Sequence, residues 1–338
     1  MIHLAINPWI ILLFGGMLLL LAEIPVWAED LYERVQWAEE LIQQYLKAGR
    51  RGLIMPVEWQ RAARIFHQKA GLEAQSTRWP AQTRYCQGNA LLEGRRFAEA
   101  IPHYRECIRL EGAWAPCHLG LGLALTGAHD LLNAEYVLRE GLRLQPKSAY
   151  LHRAIGIVYR DMNRLVEAEN AFRKAVKLSP QMASAWTNLG DLLALQGHRQ
   201  EGEAALRRAL HLDPGYASGH SFLGYFLLRE GREQEAEEEL LKARILDAGD
   251  PLTHYNLGVL FHRQKRYQQA LESYGKAGEL DPQDPVTWSA LAILYGQLGM
   301  EEKACMAYAR VLQWTKDPEQ RQAVRGKLAG CAMQGGNK

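Results

Sequence analysis

Four histidines recur at one spacing in this chain. His118, His152, His220 and His254 stand 34 residues, or twice 34, apart. Such a series invites a metal ladder or a proton relay, but the spacing argues against both. Packed helices keep their neighbours about 8–10 Å apart, too far for two imidazoles to share one metal by this repeat alone. Trp186 and Trp288 take the same place elsewhere in the series. The histidines are therefore read as packing groups. Glu237-Glu238-Glu239 reads as a solvated helix face and not as paired catalytic acids. The sequence contains no Cys-x-x-Cys-His, no His-Glu-x-x-His, no Gly-x-x-x-x-Gly-Lys-Ser/Thr and no Gly-x-Ser-x-Gly. No catalytic residue, metal or cofactor is expected, and the chain is not read as an enzyme.

The elements that carry these residues follow from the same period. Gly88, Gly122, Gly156, Gly190, Gly224 and Gly258 fall 34 apart, and Ala292 takes the next place. Ala100, Ala134, Ala168, Gly202, Ala236, Ala270 and Ala304 form a second small-residue series. Two antiparallel helices approach closely only where a side chain is missing, so both series mark helix crossings. Seven units without insertion run from Ala81 to Pro318, and a period of 34 belongs to a helix–turn–helix solenoid.

The units resemble the tetratricopeptide repeat (TPR) family. Trp186-Thr187-Asn188-Leu189-Gly190 and His254-Tyr255-Asn256-Leu257-Gly258 follow its first-helix pattern. Ala168-Phe172-Ala175 and Ala270-Tyr274-Ala277 follow its second, and Pro146, Pro180, Pro214 and Pro282 close units. The resemblance implies an all-α, right-handed superhelical α-solenoid of seven units with a helical cap at each end. Gly94, Asn163, Gly197, Gly231 and Gly299 are read as turn residues near helix ends. Gly112 and Ala248 replace the closing proline. Pro102 falls inside a second helix, which is expected to start late or bend.

Outside the repeats, residues 29–80 read as a degenerate helical cap, with Trp37, Trp59 and Trp79 as the alternative patch for a partner. Residues 319–331 read as a capping helix and 332–338 as a disordered tail. The apolar run Trp9–Ala22, followed by Val26-Trp27-Ala28 and Glu29-Asp30, reads as a signal peptide over 1–28, with an uncleaved anchor as the alternative. Either reading puts the repeats outside the cytoplasm, in a periplasm-like space. A net charge of +2 lacks the basic footprint of a nucleic-acid binder. The cysteines read as small buried hydrophobes, with Cys107–Cys117 and Cys305–Cys331 bridges as the alternative.

By the family's pattern, the first helices line a concave groove. The inward places hold Tyr150, Arg153, Arg160, Asp191, Tyr225, Arg229, Tyr255, His262 and Arg263. Tyrosine and arginine dominate binding hot spots. The expectation is a non-enzymatic adaptor that grips a peptide segment or partner domain during assembly of an envelope complex. The alternatives are a permanent accessory subunit of a membrane enzyme or secretion complex, or a homo-oligomeric scaffold. Asn188 and Asn256 share one repeat position, but two of seven do not make an asparagine ladder.

Overall fold

Each register glycine faces a large side chain sixteen residues further on, and this contact builds every repeat. A Cβ placed on Gly156 would stand 2.5 Å from the Phe172 ring, and one on Gly224 would stand 2.6 Å from Leu240. Tyr104, Leu138, Phe172, Leu206, Leu240 and Tyr274 fill these places and are essentially buried. Burying each such side chain is worth about 1.5–3 kcal/mol. Gly190 makes a different kind of crossing. Its Cβ would meet the Gly202 carbonyl oxygen at 2.8 Å, so there two backbones, not a backbone and a side chain, touch.

The computed structural model describes residues 80–335. Signal, anchor and N-terminal cap, with Trp37, Trp59 and Trp79, lie outside the described residues. Every described element is helical, and the helices fall into two compact units that divide between Leu178 and Ser179. The first holds α1 (Pro80–Glu93), α2 (Phe97–Leu110), α3 (Ala115–Gly127), α4 (Leu131–Leu144), α5 (Ala149–Asp161) and α6 (Leu165–Leu178). The second holds α7 (Ala183–Leu195), α8 (Arg199–Leu212), α9 (Ala217–Arg229), α10 (Glu233–Leu246), α11 (Pro251–Arg263), α12 (Tyr267–Leu280), α13 (Pro285–Gln297), α14 (Glu301–Trp314) and α15 (Pro318–Gly335). Within each unit a first helix packs on its own second helix and on the next first helix, and the second helix packs on that next first helix too. This is the stacking of an α-solenoid.

The turns inside the repeats share one geometry. Residues Arg95, His129, Asn163, Gly197, Gly231, Lys265 and Gly299, again 34 apart, all have positive φ. The next residue donates its N–H five residues back, Asp130 to Leu125 and Arg232 to Leu227, each at 2.9 Å. That closes a Schellman motif at the end of each first helix. Gly94, expected as a turn residue, is not the left-handed one; Arg95 is, at φ 56°. The motif is fixed by its distance from the helix, so the residue at that place adopts the conformation whatever its type.

Pro102 also departs from expectation. Helix α2 begins at Phe97, in register with the other second helices, and runs through the proline. Only the bond to the Ala98 carbonyl is lost, because a proline near a helix start gives up a single interior donor. Helix α15 reaches Gly335, past the expected end at residue 331, so residues 332–335 of the expected tail are helical. Among the described residues no helix is long and apolar enough to cross a membrane.

Cys107, at the end of α2, is bonded to Cys117 at the start of α3, with Cα atoms 5.9 Å apart. The expectation of two separate buried thiols fails here. In other repeats the same two places hold small or aliphatic residues, such as Ala175 and Ala185. The sulfurs therefore occupy a contact that the register already brings together. Cys305 is disulfide-bonded as well; the Cys305–Cys331 pairing falls on a side chain outside the described residues.

Candidate functional site

The ring at the fourth place of a repeat does directional work. Trp186 Nε1 donates to the Pro180 carbonyl and Trp288 Nε1 to the Pro282 carbonyl, both at 2.9 Å. Nε2 of His152, His220 and His254 lies 3.0 Å from the carbonyls of Pro146, Pro214 and Ala248. In every case the acceptor stands six residues earlier, in the loop that enters the first helix. Histidine and tryptophan alternate here because both offer a ring N–H at that reach. The packing reading was incomplete; these rings tie the loop down. His118 differs, with Nδ1 3.4 Å from the Trp114 carbonyl. Among the described residues no group of three or more histidine, cysteine, aspartate or glutamate side chains could hold a metal.

The glutamate run is only partly solvated. Glu238 is exposed, but Glu237 accepts two bonds from Arg266 at 2.8 and 2.9 Å. Glu239 sits 2.6 Å from His220 Nδ1 and 2.8 Å from Lys242 Nζ. The Arg266 contact belongs to a series across repeats. Arg164 pairs with Glu135 at 2.8 Å, and Arg232 with Glu203 at 2.9 Å, in the same bidentate form. These ties escaped the sequence reading. Their signal was available: arginine at the sixteenth place of one repeat and glutamate at the twenty-first of the repeat before.

The expected binding residues divide between the two units. In the first, Tyr150 is exposed, Arg153 and Arg160 are half-buried on α5, and Arg160 pairs with Asp161 at 3.1 Å. In the second, Asp191 is half-buried on α7. The Arg229 guanidinium lies 5.9 Å from the Tyr225 ring centre, one turn back on α9. Tyr255 leans on Tyr274, ring centres 5.6 Å apart. Burial, with help from nearby Asp284 and Tyr225, pushes its hydroxyl pKa up, so the phenol stays neutral. Nε2 of His262 is 2.7 Å from Gln297 Oε1. Arg263 donates to the Leu228 carbonyl at 2.6 Å and so joins α11 to α9. Both arginines are exposed, and Arg263 also holds repeats together.

The first helices of the second unit contain a further set. Asn188 Nδ2 on α7, Ser221 Oγ on α9 and Asn256 Oδ1 on α11 are buried with no hydrogen-bond partner among the described residues. Leaving such an atom unpaired costs about 1–3 kcal/mol. The asparagines had been set aside as too few for a ladder. Ser221 stands one place before their repeat position and supplies the intervening helix with a polar atom.

Residues 153–217 and 196–251 match one tetratricopeptide repeat sequence profile, and residues 251–284 match a second. No curated protein matches the chain. Among solved structures it is similar to the APC/C hetero-tetramer Cut9-Hcn1, with a TM-score of 0.64 at 22% identity over 83% of this chain and 54% of that one. It is also similar to yeast Tom70, with a TM-score of 0.58 at 14% identity over 84% of this chain and 61% of that one. The chain spans about half the length of the first and three fifths of the second. At these identities the likeness is one of fold.

Proposed function

The chain belongs to the tetratricopeptide repeat family, and from that premise we propose that it is a protein-binding scaffold that takes an extended peptide segment on the first helices of its second unit. The observation that carries this reading is the run of accessible aromatic and charged side chains on consecutive first helices, with Asp191 on α7, the exposed Arg229 guanidinium 5.9 Å from the Tyr225 ring on α9, and Tyr255 on α11. Tyr225 with Arg229, Tyr255 and Asp191 would then read the segment's side chains. Acidic and aromatic residues suit that wall.

The setting we propose is outside the cytoplasm, in assembly of an envelope complex. Support comes from the Cys107–Cys117 disulfide, since structural disulfides persist in oxidising compartments. The apolar run Trp9–Ala22 points the same way. The test is crosslinking capture from native envelopes, with the wild-type chain beside a Tyr225→Ala, Arg229→Ala, Tyr255→Ala variant of unchanged helicity. Partners lost with the variant support the reading. Partners retained in full overturn it.

A further inference from the structure

Among the described residues the most exposed large apolar side chains are Ile245 (82%), Leu132 (78%), Val166 (71%), Tyr136 (67%) and Met306 (67%). All of them lie on second helices, and all fall on one stripe: the eighteenth, twenty-second, twenty-fifth and twenty-ninth places of a repeat. Those places recur at steps of four, three and four, so they form the outermost line of each second helix. Scattered exposed apolar residues need no explanation, but five confined to one helical line do.

The charges on this line reverse between the helices of the first unit and α10, α12 and α14 of the second. In the first unit the stripe carries Arg105, Arg109, Arg139, Arg143, Arg173 and Lys177, with no acid. In the second, α8 carries Arg207 and His211 there, whereas α10, α12 and α14 carry Glu238, Glu272, Glu279 and Glu302 with no base. The arginines do have glutamate neighbours, but they stand further out than these. Arg143 is 77% exposed against 34% for Glu140, and Arg109 is 70% against 34% for Glu106. The outermost layer of the first unit is therefore cationic.

The order along the helices matches as well. Read from its start, the α4 stripe is Leu132, Tyr136, Arg139, Arg143. Read from its end, the α10 stripe is Ile245, Leu241, Glu238, Gln234. Set antiparallel, apolar meets apolar and Arg139 meets Glu238. On α6 and α12 the same alignment sets Arg173 against Glu272. We propose that the second-helix face of the first unit docks on the second-helix face of the second unit of another copy of this chain. The contact is heterologous, so each copy keeps one face of each kind free for further copies. It lies on the second helices and leaves the first-helix peptide site open.

The experiment is sedimentation velocity on the full chain, in the form the cell accumulates, over a range of concentrations and at low and high salt. Wild-type protein should associate with rising concentration, more weakly in high salt because the charged rows are screened. Arg139→Glu with Arg173→Glu, and separately Glu238→Lys with Glu272→Lys, should each weaken association about tenfold or more. Mixing the two reversed chains should restore a complex, since the reversed faces then match. Leu132→Ser with Ile245→Ser should weaken association without altering charge, and unchanged circular dichroism shows each variant is folded. A wild-type chain that stays monomeric at every concentration overturns the proposal. So does association that both reversals leave intact, or a monomer whose cationic face instead binds phosphatidylglycerol vesicles.

Discussion

The His220 ring stands between two acceptors, the Glu239 carboxylate 2.6 Å from Nδ1 and the Pro214 carbonyl 3.0 Å from Nε2. Both nitrogens therefore do best as donors, which requires the imidazolium. Burial opposes that charge, but the Glu239 hydrogen bond, the Pro214 carbonyl and the carboxylate's attraction outweigh it and raise the pKa. Burial likewise opposes ionised Glu239, yet bonds from His220 and Lys242 hold it at about 2. His152 occupies the same repeat position and keeps the same loop bond. Burial and the charge of Lys174 lower its pKa despite the Pro146 carbonyl, so it is neutral. Where His220 meets Glu239, His152 has Ala171 at the matching place.

The pH dependence follows. A raised histidine pKa stabilises the fold below the unfolded value near 6.5, and that stability is lost as pH rises through the folded value. A lowered carboxylate pKa stabilises above 4.5, and that stability is lost as pH falls towards about 2. The pair should contribute most between about 4.5 and 6.5. Glu239→Gln should cost about 1–3 kcal/mol in that window and flatten the pH profile of the thermal midpoint. NMR titration of the rings should show His220 titrating above an ordinary histidine and His152 below. The reverse order would refute the assignment.

Gly190 and Gly224 separate two kinds of close contact. A Cβ on Gly224 meets the Leu240 side chain at 2.6 Å, whereas one on Gly190 meets the Gly202 carbonyl at 2.8 Å and the Leu206 nitrogen at 3.0 Å. A side chain can rotate away and a helix backbone cannot. Gly190→Leu should cost about 1–3 kcal/mol or more by overpacking, with Gly224→Ala milder than Gly190→Ala. Chemical denaturation of the single variants reads this directly.

Lys265 is held at φ 59° and is exposed. An L-residue pays roughly 1–2 kcal/mol for that conformation, and glycine escapes it at some cost in unfolded-state entropy. Lys265→Gly should stabilise the fold by about 0.5–1 kcal/mol, and Gly231→Ala, at φ 76°, should destabilise it by about 1 kcal/mol. Opposite signs in denaturant midpoints are the expected result.

The Cys107–Cys117 bridge closes a short loop, with a sequence separation of 10. By loop closure, Cys107→Ala with Cys117→Ala should lower stability by about 2–3 kcal/mol. Adding a reductant should lower the wild-type midpoint further than that of the double variant, which keeps only the Cys305 bridge.

The sequence by itself determined the helical class, the seven-unit register and the pairing of small with large residues, because those contacts repeat every 34 residues and leave a periodic trace. It also marked Tyr225, Arg229 and Tyr255 as first-helix residues on the expected inward positions. Tertiary structure alone decided what is not periodic. Arg95 and not Gly94 turns the chain, since the Schellman geometry is counted from the helix end. His220 is charged and His152 neutral because the deciding side chain, Glu239 or Ala171, comes from the next helix. Cys107 finds Cys117 across a helix boundary, where the sequence left a bridge and two buried thiols both open. A period fixes which positions meet. What those meetings do depends on the individual side chains that stacking brings within hydrogen-bond reach.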